Sequence, residues 1–176
     1  MNSEKRNHIG VVYFAHGKES GPWGTKTSRL AQVADSKGYL VKSPDYSEID
    51  SPDQRVRKLL SLVEAGLDNL ILVGSSMGAY ASTIASEVLH PRGLFLMAPA
   101  FYIEGYAEQN PHPNASLTAI VHGWHDEVVP VEHSIRFAQR YKVELHIIDG
   151  DHRLTTQTPF LEAIFGNFLD RTQLFA

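Results

Sequence analysis

Apolar residues along this chain fall into short unbroken runs, and between the runs they return every three or four positions. The runs predict strands over residues 9–15, 39–43, 69–74, 93–97, 117–121 and 143–148. The intervening segments predict helices over 25–37, 52–64, 77–89 and 131–140, and a last helix over 159–170. Val56, Leu59, Leu60 and Val63 stand at i, i+3, i+4 and i+7, which draws one apolar stripe down a helix. Ile164, Phe165, Phe168 and Leu169 draw another near the carboxyl end.

Strands alternating with helices imply crossover connections, so the pattern predicts a three-layer α/β/α sandwich with about six mostly parallel strands. Leu70-Ile71-Leu72-Val73 and Leu94-Phe95-Leu96-Met97 are apolar throughout and belong at the sheet centre, where both faces are buried. Val143 to Ile147 alternates, and Tyr39 to Pro44 carries a lysine and a proline; both suit edges. The small residues after Met77 let that helix approach the middle of the sheet closely. The stretch 100–115 contains Asn110-Pro111-His112-Pro113, so it is not a regular helix throughout. A connection of that length is expected to form a partial cover over a site.

Composition narrows the class. With 176 residues, 43% of them hydrophobic and 20% charged, the chain is expected to form one domain, 1–176, with its own core. A net charge of -4 and the lack of Lys/Arg clusters beyond the isolated pair Lys5-Arg6 argue against a nucleic-acid partner. No run approaches membrane-spanning length and no signal peptide is visible, so a cytoplasmic location and no membrane partner are expected. The absence of cysteine removes disulfides, thiolate nucleophiles and cysteine metal sites.

The chemistry centres on Gly74-Ser75-Ser76-Met77-Gly78, which joins a predicted strand to a predicted helix. A sharp turn in that context forces its middle serine into an unfavourable backbone conformation and lifts the hydroxyl clear of the sheet. Glycines at 74 and 78 remove Cβ atoms that would collide as strand and helix close. Ser76 is the expected nucleophile, and it needs a base to take its proton. His122, His125 and Asp126 follow one downstream strand; Asp149, Asp151 and His152 follow the next. Beyond the carboxyl ends of parallel strands these segments converge on one rim. The His122/His125 pair lacks the helical spacing of a zinc site, so no metal is expected. Asp149 and Asp151 lie too near His152 in the chain to face its ring easily, which favours Asp126.

These segments resemble the α/β-hydrolase family over nearly the whole chain. Gly74 to Gly78 resembles its nucleophile elbow, Asp126 in His-Gly-x-x-Asp-x-x-Val-Pro its acid-bearing segment, and His152 in Gly-Asp-His its base-bearing loop. Phe14-Ala15-His16-Gly17-Lys18 resembles the loop that completes the oxyanion hole. The resemblance implies a minimal fold without a cap domain and a catalytic triad of Ser76, His152 and Asp126. It also implies oxyanion donors at the backbone N–H groups of Met77 and Lys18. His16, Gly17, Trp23, Tyr102, Tyr106 and Trp124 are the substrate-pocket candidates. The implied activity is serine-dependent cleavage of a small-molecule ester without a cofactor. Thioester hydrolysis, acyl transfer and non-catalytic partner binding remain open, as does the oligomeric state.

Overall fold

In a computed structural model that describes residues 7–64 and 66–175, the expected alternation is present end to end. The basic pair Lys5-Arg6 lies outside the described residues. Six strands, β1 (Gly10–Ala15), β2 (Tyr39–Lys42), β3 (Leu70–Ser75), β4 (Gly93–Met97), β5 (Leu117–Gly123) and β6 (Glu144–Ile148), pair in parallel in the order β2-β1-β3-β4-β5-β6. The alternating and lysine-bearing strands, β6 and β2, are the edges, and the continuously apolar β3 and β4 lie at the centre. The helices are α1 (Thr25–Ser36), α2 (Pro52–Leu62), α3 (Met77–Leu89), α4 (Val131–Tyr141) and α5 (Thr158–Thr172).

The period of two along each strand sorts the core into two layers. Val12, Phe14, Ile71, Val73, Phe95, Met97 and Val121 pack on one face against Leu30 and Ala34 of α1 and Leu161, Phe165 and Phe168 of α5. Val11, Tyr13, Leu70, Leu72, Leu94, Leu96 and Ile120 pack on the other against α2, α3 and α4, through Leu59, Tyr80 and Phe137. Two boundaries differ usefully from expectation. Strand β5 runs on to Gly123, which carries His122 inside the sheet, and a short 3₁₀ turn, Thr155–Gln157, precedes α5. Residues 98–116 hold no helix or strand. No helix among the described residues is long and apolar enough to cross a membrane.

From β1 the chain moves outward to β2 and then returns to β3 on the other side, so the strand order reverses between β1 and β3. That reversal opens a crevice at the carboxyl edge. Here α3 presses against the strands it follows. A Cβ on Gly74 would lie 2.3 Å from the Ala79 Cα, and one on Gly78 would lie 1.9 Å from the Ala15 carbonyl oxygen. Both are backbone collisions that no rotamer can relieve. Gly21, by contrast, meets nothing within 4 Å. Gly78→Ala is therefore expected to cost about 3 kcal/mol or more, a melting-temperature drop of about 6 °C or more, while Gly21→Ala stays within about 0.5 kcal/mol. Thermal denaturation of the two variants side by side checks this.

Candidate active site

Ser76 sits at the turn from β3 into α3 with φ 54 and ψ -119, a conformation that a serine adopts only under constraint. The constraint is visible in the hydrogen bonds. The Ser76 N–H donates to the Met97 carbonyl of β4 at 2.9 Å, and its own carbonyl accepts from Ala79, Tyr80 and Ala100. With the backbone held on both sides, the side chain projects into the crevice.

His152 and Asp126 reach that crevice on two loops laced together by main-chain bonds. Trp124 N–H donates to the Ile148 carbonyl at 2.9 Å, and His125 N–H to the Gly150 carbonyl at 3.0 Å. Gly123 permits the lacing, since a Cβ there would lie 2.2 Å from the Gly150 oxygen. The Asp151 carboxylate caps the turn after His152 by accepting from the Arg153 and Leu154 N–H groups at 3.0 and 2.9 Å. The result brings three distant residues into one line. His152 Nδ1 lies 2.7 Å from Asp126 Oδ2, and His152 Nε2 lies 3.0 Å from Ser76 Oγ. A carboxylate can only accept, so the imidazole proton sits on Nδ1 and Nε2 is left as a base facing the hydroxyl.

Asp126 is saturated as an acceptor. Its Oδ1 takes the Val128 and Val129 N–H groups at 2.9 and 2.8 Å, and its Oδ2 takes His122 Nε2 at 3.0 Å as well as His152. Its side chain is fully buried. Burial by itself would raise its pKa, but hydrogen bonds from His122, His152, Val129 and Val128 outweigh that and hold the carboxyl far below the usual range. The group stays ionised and fixed in direction.

A cleft of about 650 Å³ opens over these residues. His16, Gly17, Lys18, Ser76, Met77 and Tyr106 line it, together with Ile103 from the irregular 98–116 segment. Met77 opens α3, so its N–H has no intrahelical acceptor. Three expected pocket residues do not line the cleft. Trp23 and Trp124 are 54% and 58% exposed on the loops after β1 and β5. Tyr102, at φ 56, turns toward α4, where the Arg136 guanidinium stacks 4.1 Å above its ring. Asp149 pairs with exposed His125 at 3.0 Å, and neither it nor Asp151 contacts the His152 ring. Among the described residues no cluster of three potential metal ligands occurs.

Four side chains carry structural weight that the sequence did not disclose. His122 is buried; Asp126 and the Val129 carbonyl, 3.0 Å away, fix its proton on Nε2, and Nδ1 accepts from the Ser134 hydroxyl at 2.7 Å. Arg55 is buried without a carboxylate and donates to three carbonyls, those of Ile49, His16 and Tyr46, at 2.7, 2.7 and 3.1 Å. The signal was available, because Arg55 stands one helical turn before Leu59 on the apolar stripe. His16 Nδ1 donates to the Gly17 carbonyl at 2.8 Å and its Nε2 accepts from the Tyr46 N–H at 2.8 Å. These bonds pin the loop bearing Lys18 beside Ser76. The fourth, Lys26, enters the cleft from the first turn of α1.

Residues 11–109 match the model of the uncharacterised protein family UPF0227. The chain superposes on the crystal structure of a candidate hydrolase of the α/β superfamily from Xanthomonas campestris pv. campestris with a TM-score of 0.86. The two are 30% identical over 93% of this chain and 99% of that one. A Xanthomonas campestris serine hydrolase without a lid gives a TM-score of 0.71 at 20% identity, covering 96% and 85% of the two chains. Est1E from Butyrivibrio proteoclasticus gives 0.82 at 14% identity, covering 97% and 90%. At those lower identities the likeness concerns the fold. No curated protein matches the sequence.

Burial, reinforced by the Arg55 charge, lowers the His16 pKa below its ordinary 6.5, against the pull of the Gly17 carbonyl and Asp45. The folded protein thus keeps His16 neutral, as the Tyr46 bond requires. When pH falls below about 6.5 the unfolded chain binds the proton first, so stability is lost until the lowered folded value is passed. Urea midpoints between pH 7 and 5 should fall with pH, and a His16→Gln variant should lack this part of the slope.

Proposed function

The chain belongs to the α/β-hydrolase superfamily, within the family described as UPF0227, and from that premise we propose that it is a serine hydrolase of carboxylic esters. The observation that carries this reading is the single line of hydrogen bonds from Asp126 through His152 to a strained, cleft-facing Ser76.

In the proposed reaction, Ser76 Oγ attacks the ester carbonyl while His152 Nε2 takes its proton. Asp126 keeps the imidazole in the required tautomer and stabilises its cation. The developing oxyanion is bound by the Met77 and Lys18 N–H groups, with the positive end of α3 adding to the field. His152 then delivers the proton to the departing alcohol, leaving an acyl group on Ser76. A water molecule, deprotonated by the same imidazole, attacks that acyl carbonyl and regenerates the hydroxyl. The four acceptor bonds of Asp126 serve this cycle directly, because a carboxylate that cannot rotate cannot release the ring between steps.

The same arrangement suits thioesters, and the cleft geometry does not choose the acyl length. A purely partner-binding role gives no reason for the alignment of all three side chains.

Ser76→Ala is expected to lower kcat on a short-chain p-nitrophenyl ester by on the order of 10⁴-fold or more. Asp126→Asn is expected to cost on the order of 10⁴-fold. Steady-state kinetics on the purified variants, with folding checked by circular dichroism, provide the test. Near-normal turnover in the folded Ser76→Ala protein would end the reading.

A further inference from the structure

Lys26 is a cation that the reaction above does not use, and it stands beside the nucleophile. Its Nζ donates to Ser75 Oγ and to the Arg153 carbonyl, each at 3.0 Å. Ser75 is the residue preceding Ser76, and Arg153 follows His152. Lys26 thus bridges the neighbours of nucleophile and base, and it lines the same cleft.

The other cations of this cleft are engaged by acids. Lys18 Nζ lies 3.4 Å from Asp50, and Arg153 Nη2 lies 3.9 Å from Glu19. Among the described residues no carboxylate comes within 4.0 Å of Lys26 Nζ. Asp126 and Asp151 are the nearest influences on it, yet the first spends its oxygens on His122, His152, Val128 and Val129. Asp151 spends Oδ1 on two backbone N–H groups and is exposed to solvent. Glu127 also lines the cleft and is exposed. Burial lowers the Lys26 pKa to about 8, against the pull of Asp151 and Asp126, so at neutral pH the group is still charged. Lys26 is half-buried, and an ammonium partly withdrawn from water without a counter-ion is stabilised when something supplies the opposite charge. The first turn of α1 holds no acidic residue and Gly24 offers no side-chain cap, so the helix adds positive potential in the same sense.

We propose that Lys26 is a specificity-determining residue that binds a carboxylate carried by the ester substrate, so that the preferred substrates are acidic esters. This deepens the serine-hydrolase reading and rests on it. A carboxylate reaching Nζ would accept from the third ammonium N–H, beside those given to Ser75 and the Arg153 carbonyl, in a charge-assisted bond. It would also orient the scissile carbonyl toward Ser76, because the ammonium is tied to the residue next to it. The carboxylate can belong to the acyl portion or to the alcohol portion of the ester.

Two matched pairs of substrates separate these arrangements. The acyl pair is mono-p-nitrophenyl adipate against p-nitrophenyl hexanoate; the alcohol pair is 4-carboxyphenyl butyrate against 4-carbamoylphenyl butyrate. In one of the pairs the wild-type protein is expected to favour the acidic member by about 10-fold or more in kcat/KM. Lys26→Met is expected to bring that ratio down to about 1, mostly through KM, and Lys26→Arg to retain part of it. Hydrolysis of the neutral esters without a charge preference in either pair overturns the carboxylate assignment and leaves the hydrolase reading standing. A Lys26→Met protein that loses acidic and neutral esters in equal measure also overturns it, because Lys26 then acts only as a brace for Ser75 and Arg153. Turnover of none of the four esters by folded wild-type protein overturns both.

Discussion

Helix α3 lies against β1 and β3 at a separation that leaves no room for a side chain at positions 74 and 78. The site depends on this close approach. It forces the turn between them to be sharp, and a sharp turn with a non-glycine residue at its apex places Ser76 at positive φ. Such a conformation costs about 1–3 kcal/mol, and it persists because the surroundings over-determine it. Met97 and Ala100 hold the backbone from the β4 side, and the core on both faces of the central strands holds the sheet itself. Strain at one residue is thus stored against the packing of the whole molecule.

The second requirement is that two other loops meet this fixed point. Neither His152 nor Asp126 is placed by its own strand alone. The loops after β5 and β6 are joined by backbone bonds across Gly123 and Gly150, and His122 stands beneath Asp126 as an extension of β5. On the opposite wall, Arg55 gathers the His16, Tyr46 and Ile49 carbonyls and stabilises the loop that carries Lys18. Each wall of the cleft is therefore anchored by a buried basic side chain with no solvent access, Arg55 on one side and His122 on the other. Arg55 spends its donors on three carbonyls inside the fold, whereas Lys26 lines the cleft, where a ligand can reach it.

Much of this was legible in the sequence because the governing signals are local. A run of four apolar residues predicts a buried central strand, and the glycine spacing around Ser76 states how close the next helix must come. The edge positions of β2 and β6 followed from Lys42, Pro44 and the alternation around Glu144. Arg55 betrays its burial by its place on the apolar stripe of α2, but the role of Lys26 was hidden, because a basic residue on a helix is usually solvated and only the assembled fold shows which carbonyls or hydroxyls surround it. His122 was read against a metal-binding pattern and set aside, whereas its function depends on β5 continuing two residues beyond the predicted end. Tyr106 does line the cleft, but the two tryptophans misled for a related reason. Trp23 and Trp124 sit on loops that do lead to the cleft, but the direction of an exposed loop side chain is not encoded by its neighbours.

The central claim is that the constrained hydroxyl at position 76 is the group the molecule activates. Treating the folded protein with a fluorophosphonate probe and mapping the adduct by mass spectrometry tests it directly. The account predicts one adduct, on Ser76, that disappears when His152 is replaced by alanine. An adduct on a different residue, or no reaction at all by protein shown to be folded, would contradict it.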